Sequence, residues 1–114
     1  MAKKQSKATK QSKPAFTDAE LKVIHSAAVA VWAYVGADYL ELGGRSITRS
    51  EVIEVVSDAG RLEEEVERAG TRAAKAGRPL DVDTKELAKR LTSLTYEQMV
   101  EMLRPAFPYS RYGM

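Results

Sequence analysis

Four times along the chain a hydrophobic residue, a capping residue, two intervening residues, Glu or Gln, and a second hydrophobic residue follow in that order. They are Phe16-Thr17-Asp18-Ala19-Glu20-Leu21, Ile47-Thr48-Arg49-Ser50-Glu51-Val52, Val82-Asp83-Thr84-Lys85-Glu86-Leu87 and Leu94-Thr95-Tyr96-Glu97-Gln98-Met99. In such a box the cap oxygen accepts from the amide three residues on. The Glu or Gln side chain reaches back to the cap amide, and the flanking hydrophobes staple across the turn. Four helix starts in one short chain dictate an all-α fold. A capping box marks a boundary and carries no chemistry, so function must be sought elsewhere.

The boxes set the layout of the expected bundle. Helix one is expected from about Asp18 to Leu42, with Gly43-Gly44 as its stop. At 100° per residue its large face holds Leu21, Ile24, Ala28, Val31, Trp32, Val35, Tyr39 and Leu42. Ala19, Ser26, Ala30, Ala33 and Ala37 lie nearly opposite and permit close approach of another backbone. A helix apolar on both sides in so short a chain predicts a homo-oligomer, with Ala30, Ala33 and Ala37 at the interface. Helix two is expected as one long helix from Thr48 to Ala76, antiparallel to helix one, because Val52, Val55, Ala59, Leu62, Val66, Ala69, Ala73 and Ala76 follow three-four spacing. The alternative is a break near Gly60, which would set Glu63, Glu64, Glu65 and Glu67 at a new N-terminus where the helix dipole favours acids. Gly70 is a second position where a kink is expected. Two short helices, about Thr84 to Thr92 and Tyr96 to Leu103, complete a bundle of about four helices. Pro105 and Pro108 then impose an extended arm over 105–114, with Phe107 and Tyr109 as its candidate contacts to protein.

Charge divides the chain in a way its net of +2 conceals. Residues 1–13 hold Lys3, Lys4, Lys7, Lys10 and Lys13 and no acid. The rest holds the other 13 Lys and Arg (18 less 5) against all 16 acids, a net of −3. The tail has no apolar residue beyond Met1 and Ala2 and Ala8, too little to offset ordering entropy, so disorder is expected over 1–13 and a helical domain over 14–104. At 114 residues the chain suits one domain. It has no Cys, hence neither disulfides nor thiolate chemistry. The most apolar run, Val23 to Val35, is too short to span a bilayer, and no hydrophobic stretch follows the N-terminal lysines as a signal peptide requires. Residence in the cytoplasm, or in a host cell or virion for a viral protein, is the expectation.

Catalytic and metal chemistry find little support. His25 is the only histidine, has no partner residue in pattern, and reads as structural. Glu63, Glu64 and Glu67 resemble the EExxE half of the magnesium motif of all-helical nucleotide pyrophosphohydrolases. The downstream ExxD pair of that family is missing, since Glu86 is followed by Lys89 and Glu97 by Val100, and the acids read as a solvated face. Gly43-Gly44-Arg45-Ser46 reads as an interhelical turn and not as a phosphate loop. No cofactor or metal is expected, and the chain reads as non-enzymatic.

The positive features point to a polyanion. Flexible arms of like charge bind nucleic acid by counterion release without sequence preference. The candidate contacts are therefore the five tail lysines, joined by Arg61, Arg68, Arg72 and Lys75 along one edge of helix two. The expectation is a small helical protein bound to nucleic acid through its tail, within a nucleoprotein assembly. The alternative is a protein-interaction module, such as a virion assembly component or small inhibitor, with a merely solubilising tail.

Overall fold

The computed structural model describes residues 16–43 and 47–112, with side chains in the first helix as far as Gly36. The five tail lysines and the Gly44-Arg45-Ser46 turn lie outside the described residues, as do the side chains of Ala37, Tyr39 and Leu42. The fold is all-α, with five helices and one short strand pair among the described residues. In order they are α1 (Asp18–Gly43), β1 (Ile47–Thr48), α2 (Arg49–Ser57), α3 (Arg61–Lys75), α4 (Thr84–Leu91), α5 (Tyr96–Leu103) and β2 (Arg111–Tyr112). Among the described residues no helix is long and apolar enough to cross a membrane.

The caps form where the sequence places them. Thr17 and Glu20 exchange bonds of 2.9 and 3.1 Å at the head of α1. Thr48 and Glu51 make a full box on α2, as do Thr95 and Gln98 on α5. At α4 the Asp83 carboxylate accepts from the Glu86 amide. The C-terminus of α3 closes as a Schellman turn. There Gly77 is left-handed (φ 79), its amide bonds to Ala74 O, and the Arg78 amide bonds to Ala73 O.

The long second helix, favoured on its heptad spacing, is two helices. Asp58–Gly60 form a 3₁₀ turn in which Ala59 (φ 55) and Gly60 (φ 72) are both left-handed. The alternative reading is the one found, and Glu63 and Glu64 stand in the first turn of α3 as the dipole favours. The break changes which residues reach the core. In α2 Val52, Ile53, Val55 and Val56 are buried, and in α3 Leu62, Glu65 and Val66. Ala59, placed mid-seam by the heptad pattern, is exposed at the turn.

The core gathers Ile24, Ala28 and Val31 of α1 with Ile53 and Val56, Leu62 and Val66, Leu87 and Leu91, and Met102 and Leu103. α3 runs antiparallel to α1, so Tyr34 meets Glu65 while Val23 and Ala69 share a cleft nearer the start of α1. Gly70 makes no kink. It lies inside α3, and a Cβ there would come within 2.9 Å of Thr84 Cβ, so this glycine lets α4 seat on α3. His25 has the structural role expected of it. Its Nε2 donates to Met102 O at 2.7 Å and ties α1 to the last turn of α5.

The C-terminal arm is not extended from its start. Arg104–Ala106 form a 3₁₀ turn, after which Phe107 enters the core at 2% exposure. β2 then pairs antiparallel with β1, Ile47 opposite Tyr112 and Thr48 opposite Arg111.

Two substitutions test the break and the seat. Ala59→Gly relieves a left-handed alanine and should raise the unfolding free energy by about 1 kcal/mol. Gly70→Ala should lower it by about 1–3 kcal/mol by forcing α4 off α3. Urea unfolding followed by circular dichroism reads both, and a neutral Ala59→Gly would mean the turn is not strained.

Candidate functional site

The candidate nucleic-acid edge lies on α3, where i, i+7, i+11 and i+14 spacing brings Arg61, Arg68, Arg72 and Lys75 to one side. The structure turns three of the four toward the protein itself. Arg61 Nη1 donates to Val55 O at 2.9 Å, joining the Asp58 amide on that carbonyl at the end of α2, and lies 3.9 Å from Asp58 Oδ2. Arg68 Nη1 donates to Glu65 at 3.1 Å and to the Tyr34 hydroxyl at 2.9 Å. Arg72 Nη2 donates to the other Glu65 oxygen at 2.9 Å. Lys75 is exposed in the last turn.

The residue that organises this edge is one that charge patterning misassigns. Glu65, which the sequence places among the acids following a break at Gly60, is 3% exposed and the one charged residue buried among those described. Its carboxylate accepts from Tyr34 Oη at 2.6 Å as well as from both arginines. Three donors satisfy the charge that burial would otherwise penalise. Glu65 lies three residues after Leu62 and one before Val66, at the edge of the apolar seam, and its burial follows from the Tyr34 hydroxyl that meets it there.

Burial by itself would raise the Glu65 pKa. The hydrogen bonds from Tyr34 and Arg72, with the charges of Arg72 and Arg68, outweigh it and hold the carboxyl below its ordinary value of 4.5. The same contact acts oppositely on its donor, where the Glu65 hydrogen bond, then burial and the Glu65 charge, push the Tyr34 hydroxyl above its ordinary value. Glu20 is also held low, first by the Thr17 amide and against some burial, with help from Arg90 at 3.0 Å. Arg90 lies over the Phe16 ring as well, 4.6 Å from its centroid, which fixes the staple of α1.

The other acids do not assemble. Glu64 and Glu67 are exposed and Glu63 is half-buried with one carboxylate oxygen lacking a hydrogen-bond partner. Among the described residues no three His, Cys, Asp or Glu side chains come together as a metal-holding group.

The candidate protein-contact residues fall in two places. On α1 Ala33 is exposed and Ala30 half-buried, and Val29 beside them is 49% exposed. The same outer face leads into a cleft of about 560 Å³ between α1 and the α3–α4 connection, lined by Ala19, Val23, Ser26, Ala69, Leu80 and Val82, with Asp18, Lys22 and Asp81 at its edge. On the arm, Phe107 is spent on the chain's own core while Tyr109 stands out in solvent.

Because Glu65 and Glu20 have folded pKa values below the unfolded one, the stability they supply is full above pH 4.5 and is lost as pH falls through the folded values. Glu65→Gln should cost about 1–2 kcal/mol at pH 7, the half-exposed arginines recovering water, and should flatten but not abolish the acid slope. Unfolding free energies between pH 3 and 7 decide it, and an unchanged slope would mean the carboxylate is not held low. Compared with known proteins, the chain matches no family model, no curated protein and no solved structure.

Proposed function

We propose that this is a non-enzymatic helical protein that associates with nucleic acid through Lys3, Lys4, Lys7, Lys10 and Lys13, without sequence preference, as part of a nucleoprotein assembly. One observation carries the reading, the separation of charge between an acid-free lysine segment and a body of net −3. Within the body, Arg61, Arg68 and Arg72 bond to the fold's own acceptors, so they add little to the attraction and the expected edge shrinks toward Lys75. Lysine is a point charge that meets phosphate without reading bases, which suits a sequence-independent role.

A salt series tests this quantitatively. Five phosphate contacts give a slope of about −4.5 for log K against log salt on duplex DNA. Changing all five lysines to Gln should abolish binding, whereas Arg72→Ala should leave the slope unchanged. A slope of about −8 would return the arginines to the interface, and no binding by the intact chain at low salt would remove the proposal.

A second reading, self-association along α1, is favoured by the pairing of an exposed Val29 with a cleft one turn and a half away on the same face. In an antiparallel pair with Ser26 on the twofold axis, each Val29 meets Val23 of the other copy and enters its cleft, and Ala33 meets Ala19. The small residues on this face allow the backbones to approach. Val29→Asp should then turn a dimer into a monomer in sedimentation at tens of micromolar, and a monomeric parent protein would discard the dimer.

A further inference from the structure

Residues 104–112 hold three aromatics and two arginines and no acid. This arm is fixed in place at several points. Phe107 is in the core, Arg111 and Tyr112 pair with β1, and Ser110 O accepts from the Arg49 amide at 2.9 Å. The Tyr109 amide donates to the Tyr112 hydroxyl at 3.0 Å, so the backbone that carries Tyr109 is tied on both sides. Against that background the Tyr109 ring is 67% exposed, the most open of the large hydrophobic side chains described. It is steadied by an edge contact with Tyr112 at 5.6 Å, and Tyr112 in turn meets Phe107 at 5.9 Å.

A cation lies under the same segment. The Arg49 guanidinium makes long bonds of 3.4 Å to the carbonyl oxygens of Pro108 and Tyr109, which are neutral acceptors, and among the described residues no carboxylate pairs with it. An open aromatic ring on a rigid backbone, with a guanidinium bonded to the carbonyl of the same residue and no acid in its own segment, is an arrangement that can take a nucleobase on the ring and a phosphate near the cation. A protein partner would call instead for a contiguous apolar patch, and Phe107 is already buried and Tyr112 half-buried.

We propose that Tyr109 is a stacking site for an unpaired base of single-stranded nucleic acid, with Arg49 drawing the adjoining phosphate. The inference rests on the lysine-tail reading for its overall affinity and adds to it a preference for single strands. Every base has a π face, so the site adds strand selectivity without sequence selectivity. Duplex DNA keeps its bases stacked on one another and gains nothing from the ring.

The test is fluorescence anisotropy of the full chain with a labelled oligothymidylate of twenty nucleotides and a labelled duplex of equal length, at fixed moderate salt. Tyr109→Ala should weaken single-strand binding about tenfold and leave duplex binding unchanged, while Tyr109→Phe should bind like the parent. The melting temperature of Tyr109→Ala shows whether the arm still closes, and Arg49→Gln, expected to weaken single-strand binding more than duplex binding, provides a second route should it not. Equal losses on both ligands, or no loss on either, would overturn the stacking site. If the five-lysine variant loses both ligands and Tyr109→Ala loses neither, the tail reading stands and the stacking site falls. If the parent protein binds neither ligand at low salt, the tail reading itself has failed and the stacking site falls with it.

Discussion

Two consecutive left-handed residues, Ala59 and Gly60, set the form of everything around them. A helix cannot run through them, so the middle of the chain becomes α2 and α3, and α3 restarts in a register of its own. An alanine in that conformation costs about 1–2 kcal/mol, which is tolerated only because the packing on both sides over-determines it. α2 then buries Ile53 and Val56, residues outside the heptad seam, and α3 turns Glu65 inward to Tyr34. The Arg61 side chain bridges back over the break to Val55 O, so the turn is bonded across as well as bent.

That inward glutamate has a second effect on the molecule's outer field. A row of arginines on a helix reads as a surface for phosphate, yet a single buried carboxylate draws two of them inward to itself. Among the described residues Arg49 and Lys75 are cations that no carboxylate pairs, so burying one glutamate removes two arginines from the positive surface of α3 and leaves these.

Much of this was legible in the sequence because helix boundaries are local chemistry. A cap needs only a hydroxyl or carboxylate and an amide three residues on, and Thr17, Thr48, Asp83 and Thr95 all cap as their spacing implies. The stop at Gly77 is equally local. What stayed hidden depended on contacts between elements. Nothing near Gly70 in the sequence announces Thr84 as its neighbour, so a close helix contact was read as a weak point. The burial of Glu65 required Tyr34, 31 residues away. The β2 pairing likewise depends on β1, distant in sequence, whereas the separation of charge needed only counting.

The contacts that bind α1 to the end of the chain also constrain the order in which the molecule can assemble. His25 reaches Met102 across 77 positions, Glu20 reaches Arg90 across 70, and residue 47 pairs with residue 112. Such closures confer no stability until nearly the whole chain is present, and each carries the entropy of a long loop. On a ribosome α1 can pack on α2 and α3 as these emerge, but the part of its face that meets α5 has to wait for the last helix. That strip of apolar side chains would be open to chaperones until then, despite the short local spans of the helices.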